Sequence, residues 1–229
     1  MHGELLMRRI VILCLVTQTF GQWSSFSLSG LKLGDIKSEQ LYRYGGLTTA
    51  HQPTMEIPNE RRIALGATMN KGFSNSGMIP IIHGEIKVSW NLSLRGRVAS
   101  YGASEGVVQL YGWGMSLTPG KEDEPSKWIV LLDAGRLNAH DQLYLTGLQF
   151  MGKRIVEWKG IPIQIGLGLN KVDVNPFGIA GEDSPSKVKL QTNFLNVGTS
   201  FNLFGLKAIP ELCIGANYNL ISISIMDTF

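Results

Sequence analysis

The chain is expected to fold as an all-β protein, a closed antiparallel transmembrane β-barrel of roughly 8–10 strands. Three observations predict it. Apolar and polar residues alternate with period two along most of the chain; the polar parity is short of charge and rich in glycine; and the last residue, Phe229, is aromatic at the end of an alternating run. At 229 residues the chain is expected to form a single barrel domain, 61–229, large enough to bury a substantial core.

The first element is an export signal. Arg8 and Arg9 precede the apolar run Ile10 to Val16, which gives way to polar Thr17, Gln18 and Thr19, with small Gly21 ahead of Gln22. A charged region, a short apolar region and a small residue at the cut predict a signal peptide over 1–21, cleaved between Gly21 and Gln22; Met1 or Met7 can serve as its start. Seven strongly apolar residues are too few to cross ~30 Å of hydrocarbon as a helix. Cys14 does not make a lipidation signal, because Leu13 stands where a small residue is needed. Cleavage would leave Cys213 as the one cysteine, without a disulfide partner. No later stretch is apolar enough for a membrane helix.

Residues 22–60 are the least patterned part. "SSFSLSGLKL" can serve as a first strand, and "GGLTTAHQPTMEIPNE" reads as an exposed or plug-like segment. Alternation then takes over. Ile63, Leu65, Ala67 and Met69 share one parity, as do Tyr111, Trp113, Met115 and Leu117. Ile161 to Leu169, Leu195 to Leu203 and Leu212 to Tyr218 repeat the pattern, and no long stretch shows a helical stripe. The breaks at 70–77, 118–126 and 173–186 are rich in Gly, Pro, Asn, Asp and Ser, as loops are. "NAHD" (138–141), "KG" (159–160) and "FG" (204–205) read as tight connections. Whether 80–100 is one long strand or a hairpin turning near Asn91 stays open, since an even-length turn preserves parity.

Alternation by itself fits two opposite objects. A soluble barrel or sandwich turns its apolar face inward; a membrane barrel turns it toward lipid and its polar face into the lumen. Charge decides for the second. Only 17 % of residues are charged, and several strands present Gly, Ser, Asn, Thr and Gln where a soluble surface would carry Lys and Glu. Glycine on that parity, as at Gly112, Gly114, Gly166, Gly168 and Gly215, suits a curved wall with little interior space. On this reading Ile86, Val88, Trp90, Leu92 and Leu94 face lipid, and Glu85, Lys87, Arg95, Arg97 and Glu211 face the lumen as an ion-pair network. Trp90, Trp113, Trp128 and Trp158 are candidates for the interfacial girdle.

The signal peptide, the alternating strands and the ending "NLISISIMDTF" together resemble bacterial outer-membrane β-barrel proteins at the level of architecture. Ile221, Ile223, Ile225 and Phe229 keep the phase of such a final strand, while Asp227 interrupts it. The resemblance implies a location in the outer membrane of a diderm bacterium. It implies as partners the lipid bilayer and the barrel-insertion machinery, engaged through the strand ending in Phe229.

The chemistry on offer is sparse. The net charge of +3 is spread without a basic run, so nucleic acid is not an expected partner. Enzymatic activity is not expected: His83 and Glu85 share a face but lie about 7 Å apart on one strand, and His140 with Asp141 reads as turn residues. His51 is the only other histidine of the mature chain, and no metal-ligand spacing or cofactor motif is present. The expected function is a small, non-enzymatic outer-membrane barrel with a structural, docking or adhesive role, or narrow passage of small solutes. The alternatives are an exported soluble barrel that binds a lipid or other apolar ligand, and a lipid-modifying or proteolytic barrel enzyme.

Overall fold

A computed structural model describes residues 26, 36–54, 57–73, 77–103, 106–140, 143–176 and 187–229. The predicted signal peptide and its cleavage site lie outside these residues, as does the suggested first strand apart from Phe26. The architecture is a closed antiparallel barrel preceded by one helix. Helix α1 spans Ile36–Ala50. The strands are β1 (Ile63–Gly72), β2 (Met78–Lys87), β3 (Leu92–Ala103), β4 (Gly106–Leu117), β5 (Trp128–Ala139), β6 (Leu143–Trp158), β7 (Ile161–Pro176), β8 (Val188–Thr199), β9 (Phe201–Leu203), β10 (Leu206–Gly215) and β11 (Asn219–Thr228).

Each strand pairs with the next in sequence, and β11 closes on β1 from Ala64↔Thr228 to Gly72↔Leu220. Short β9 is the continuation of β8 past Ser200: both pair with β10 in one unbroken register, Glu211↔Gly198 and Leu206↔Leu203. The wall therefore counts ten strands. Closure removes the sheet edges that an open array would expose. At the end where β1 begins and β11 finishes, called here the termini end, Lys159–Gly160 and Phe204–Gly205 turn the chain in two residues each. Both residues of each pair have positive φ (52° and 78°, 51° and 84°), the mirror-image turn whose twist suits a hairpin.

The wall is turned inside out relative to a soluble protein. Leu94, Val98, Trp113, Phe150, Leu167 and Ile223 stand exposed on its outer face, while Glu85, Arg95, Asp133, Lys153 and Glu211 are buried inside. Water would penalise both arrangements; lipid outside and paired charge inside satisfy both. The tryptophans fit this wall. Trp113, Trp128 and Trp158 are outward and exposed, and Arg154 and Lys159 lie over the rings of Trp128 and Trp158 at 5.8 and 5.1 Å. A cation on an exposed aromatic near the rim suits the membrane–water boundary.

Two sequence expectations need correction. The stretch 84–98 is a hairpin: β2 stops at Lys87, residues 88–91 turn, and β3 starts at Leu92. Val88 and Trp90 therefore sit in that turn at the termini end and not on a lipid-facing strand, with Leu92 at the very start of β3. Loop 173–186 was also drawn too long, because β7 runs on to Pro176, pairing Leu143↔Pro176.

Helix α1 was not expected as a helix; its last residues, Gly45 to Ala50, begin the stretch read as exposed or plug-like. It lies in the lumen, contacting β4 to β8, and from Leu41 to Ala50 every residue is buried. A helix enclosed on all sides has no wet face, so no apolar stripe marks it in the sequence. Its propensity is poor, since Gly45 and Gly46 each cost about 1 kcal/mol relative to Ala in a helix interior. Fit explains them. A Cβ on Gly46 would come within 2.1 Å of Val172 Cγ2, and one on Gly45 within 2.8 Å of Leu145 Cδ1. Leu41, Tyr44 and Leu47 pack in one apolar cluster with Leu110, Leu137, Leu145 and Val172 of the wall. The half of the lumen away from the termini end thus holds the apolar cluster, and the buried carboxylate–cation clusters begin where α1 stops.

Candidate functional site in the lumen

The last carbonyls of a helix lack intrahelical donors and carry the negative end of its dipole. In water they would be hydrated; inside this barrel Arg97 of β3 meets one of them, and Arg95 of the same strand meets the carbonyls just past the helix end. Arg97 Nε donates to Thr49 O at 2.5 Å, and Arg95 Nη2 donates to Gln52 O and Pro53 O at 2.5 and 2.9 Å. Asp133 of β5 balances both cations, its Oδ1 accepting from Arg97 Nη1 at 3.0 Å and its Oδ2 from Arg95 Nη1 at 2.9 Å. Glu85 of β2 lies 3.7 Å from Arg95 Nε and accepts from Ser116 Oγ at 3.1 Å. The group is a clamp: the wall holds the chain that runs through it by main-chain atoms.

The glycines of the inner parity make room for the clamp. A Cβ on Gly114 would lie 2.0 Å from Asp133 Oδ1, and one on Gly112 would lie 2.6 Å from Arg97 Nε. On β7, a Cβ on Gly166 would meet Lys153 Cγ at 2.7 Å. These glycines were expected on a curved wall with little interior space, and the space they leave is taken by long charged side chains.

A second cluster holds the next residue of the threaded chain. His51 Nε2 is 2.8 Å from Glu211 Oε2, and Lys153 Nζ pairs with Glu211 Oε1. Cys213 Sγ lies 3.9 Å from His51 Nδ1 and accepts from Asn196 Nδ2 at 3.3 Å. Cysteine, histidine and glutamate in this order are a nucleophile, base and orienting carboxylate in outline. Here Cys213 is fully buried and Glu211 is shared with Lys153, so the cluster is a packed polar core. His83 is separate, joined to Thr68 Oγ1 at 2.7 Å.

Past the clamp, toward the termini end, the lumen opens. One cavity of about 640 Å³ is lined by Thr54, Gln164, Phe201, Lys207 and Ile209, and another of about 430 Å³ by Thr54, Glu85, Lys87 and Trp90. Ile57 then packs on Ala64, Ile209 and Met226 as the chain leaves for β1. No group of three or more potential metal ligands occurs among the described residues.

Of the charges read as lumenal from sequence, Glu85, Arg95, Arg97 and Glu211 are buried inside, in two clusters rather than one network. Lys87 stands at the termini mouth, half-buried, donating to Asn59 Oδ1 at 2.8 Å. Ile86 and Leu94 are exposed on the outer face. Sequence reasoning missed Asp133, Lys153 and His51. A signal existed for the first: Asp133 is the single charge of the inward parity Leu131, Asp133, Gly135, Leu137. Lys153 meets Glu211 across the intervening β7 and β8, over Gly166 and Gly198, and no local pattern carries that.

No protein-family model and no curated protein matches the chain. Among solved structures it is similar to a KdgM porin in complex with disordered oligogalacturonate, at 8 % identity and TM-score 0.41 over 72 % of this chain and 99 % of that one. It is similar also to the N-terminal β-barrel domain of Pseudomonas aeruginosa OprF, at 9 % identity and TM-score 0.34 over 73 % and 98 %. A third is Ail, the attachment invasion locus protein of Yersinia pestis, at 11 % identity and TM-score 0.26 over 73 % and 95 %. The likeness is one of barrel architecture.

Proposed function

We propose that this chain is a small outer-membrane barrel whose lumen is sealed by its own N-terminal helix, and that it serves as a structural or docking element of the envelope. The observation that carries the reading is the Arg95–Arg97–Asp133 clamp closed on the main chain at Thr49, Gln52 and Pro53. Barrels of about eight strands have interiors filled by side chains, and aqueous channels need about sixteen. Here α1 and the clamp fill the lumen across its middle, and the open space lies only past the clamp toward the termini end. The exposed apolar outer face supports placement in a bilayer over the soluble alternative. A non-enzymatic role fits the burial of Cys213 and Thr68, a thiol and a hydroxyl each set beside a histidine.

The test is electrical. Refolded protein in planar bilayers is expected to show no steady conductance, and a chain lacking residues 36–57 is expected to conduct. Steady conductance of the intact chain would sink the sealed reading and favour narrow solute passage. Recovery from membranes after carbonate washing, with a mobility shift on heating in detergent gels, checks the membrane placement separately.

A further inference from the structure

We infer that the chain threads its own barrel, so that Phe26 and the start of α1 lie on the outer side of the membrane while the strand termini face the periplasm. The path of the chain carries this. Near the start of the buried part of α1, Arg43 Nη1 donates to Thr192 Oγ1 at 2.9 Å and Tyr44 Oη to Asn70 O at 2.9 Å, both at the end opposite the termini. Phe26 lies at that same end, its carbonyl 2.7 Å from His140 Nε2 and its ring stacked on Tyr44. The helix then descends to Thr49 at the clamp, and Ile57 packs beside Ala64 and Met226 at the termini end. Between Ile36 and Ile57 the chain passes from one mouth of the barrel to the other.

A return is blocked. A helix with its side chains is about 10–12 Å across. On one side the wall is so close to α1 that a Cβ on Gly135 would lie 2.1 Å from Thr49 O and one on Gly147 2.7 Å from Gly46 O; on the other, Tyr44 reaches Asn70 O of β1 at 2.9 Å and packs on Tyr218. No second pass of chain fits beside it. A return through lipid would leave backbone groups without hydrogen-bond partners. Phe26 and Ile36 therefore stay on the far side.

The outer face says which side that is. At the termini end apolar and aromatic residues reach the rim at exposed Trp128, Trp158 and Ile161; two of its four connections are two-residue turns, and the longest is 118–127. At the far end β5 to β8 continue beyond the apolar belt with exposed Arg136, Thr146, Lys171, Asp173 and Lys189, and the longest connection, 177–187, follows. Short turns face the periplasm and the longer, wetter end faces outward in outer-membrane barrels.

The inference rests on the outer-membrane reading, and one experiment separates the two. Ile36→Cys and Lys159→Cys place thiols at the two exposed ends, and the parent chain, whose Cys213 is buried, is the unlabelled reference. Cells are treated with a membrane-impermeant maleimide before and after outer-membrane permeabilisation. Threading predicts full labelling of Ile36→Cys on intact cells and labelling of Lys159→Cys only after permeabilisation. Labelling of both variants on intact cells, of Lys159→Cys alone, or of neither, overturns it. Carbonate-washed membranes are probed in parallel: variants that stay membrane-bound with the wrong pattern refute threading alone, and variants absent from the membranes refute the outer-membrane reading with it.

Discussion

Replacing Asp133 with alanine would leave the guanidinium groups of Arg95 and Arg97 in one buried space, with Glu85 at 3.7 Å from Arg95 as the remaining carboxylate. Stripping the partner from a buried charge costs ~3 to 5 kcal/mol when water cannot enter. Glu85→Ala removes less, since Arg95 keeps Asp133 and the carbonyls of Gln52 and Pro53; its expected cost is about 1 to 2 kcal/mol. Urea titration of barrels folded into liposomes should rank Asp133→Ala well below Glu85→Ala. Equal losses would mean that water reaches the clamp. The contrast also shows what could be read locally. Glu85, Arg95 and Arg97 stand within one alternating stretch, so parity finds them together; the acid that balances both arginines is 36 residues beyond Arg97.

At the scale of elements, α1 and the wall are held by different forces. Strand ladders are continuous around the barrel, whereas α1 has no ladder with them and depends on side-chain fit and the clamp. Gly135→Val should exploit that difference. Its Cβ would fall 2.1 Å from Thr49 O, a main-chain atom that cannot swing aside, and overpacking of this kind costs ~1 to 3 kcal/mol. The helix is expected to yield before the wall. Conductance should appear in planar bilayers while the heat-dependent gel shift is kept; a barrel that still seals would show that α1 tolerates displacement. Gly152→Val is the control, because no atom lies within 4 Å of its Cβ position. The same fit hid α1 from sequence reading: a Gly45–Gly46 pair and mixed polarity look like loop until the wall around them is known.

For the whole molecule, the decisive property is that apolar surface faces out. Val98, near the middle of β3, is half exposed on the outer face, and Leu92 begins the same strand at the termini rim. A cation costs ~2 to 4 kcal/mol at mid-bilayer and about 0 to 1 near the interface. Val98→Arg should therefore lower folding yield in liposomes much more than Leu92→Arg. Equal tolerance would remove the bilayer from the account. Leu92 would have served as a mid-depth probe had 84–98 been one strand; the turn at 88–91 moves it to the edge.

The sequence by itself determined the wall: period-two patterning sets which side chains share a face, and scarcity of charge on the polar parity sets which face meets lipid. These are local properties, legible because a strand repeats every two residues wherever it sits. The hairpin at 88–91 escaped that logic, since an even turn leaves parity intact. Tertiary structure decided what fills the lumen. The helix at 36–50, the balance of Arg95 and Arg97 by Asp133, and the meeting of His51, Lys153 and Glu211 all join residues distant in sequence that the curved wall and the helix it encloses bring together in space. Their energy comes from mutual burial, which depends on distance in space and leaves no period in the chain.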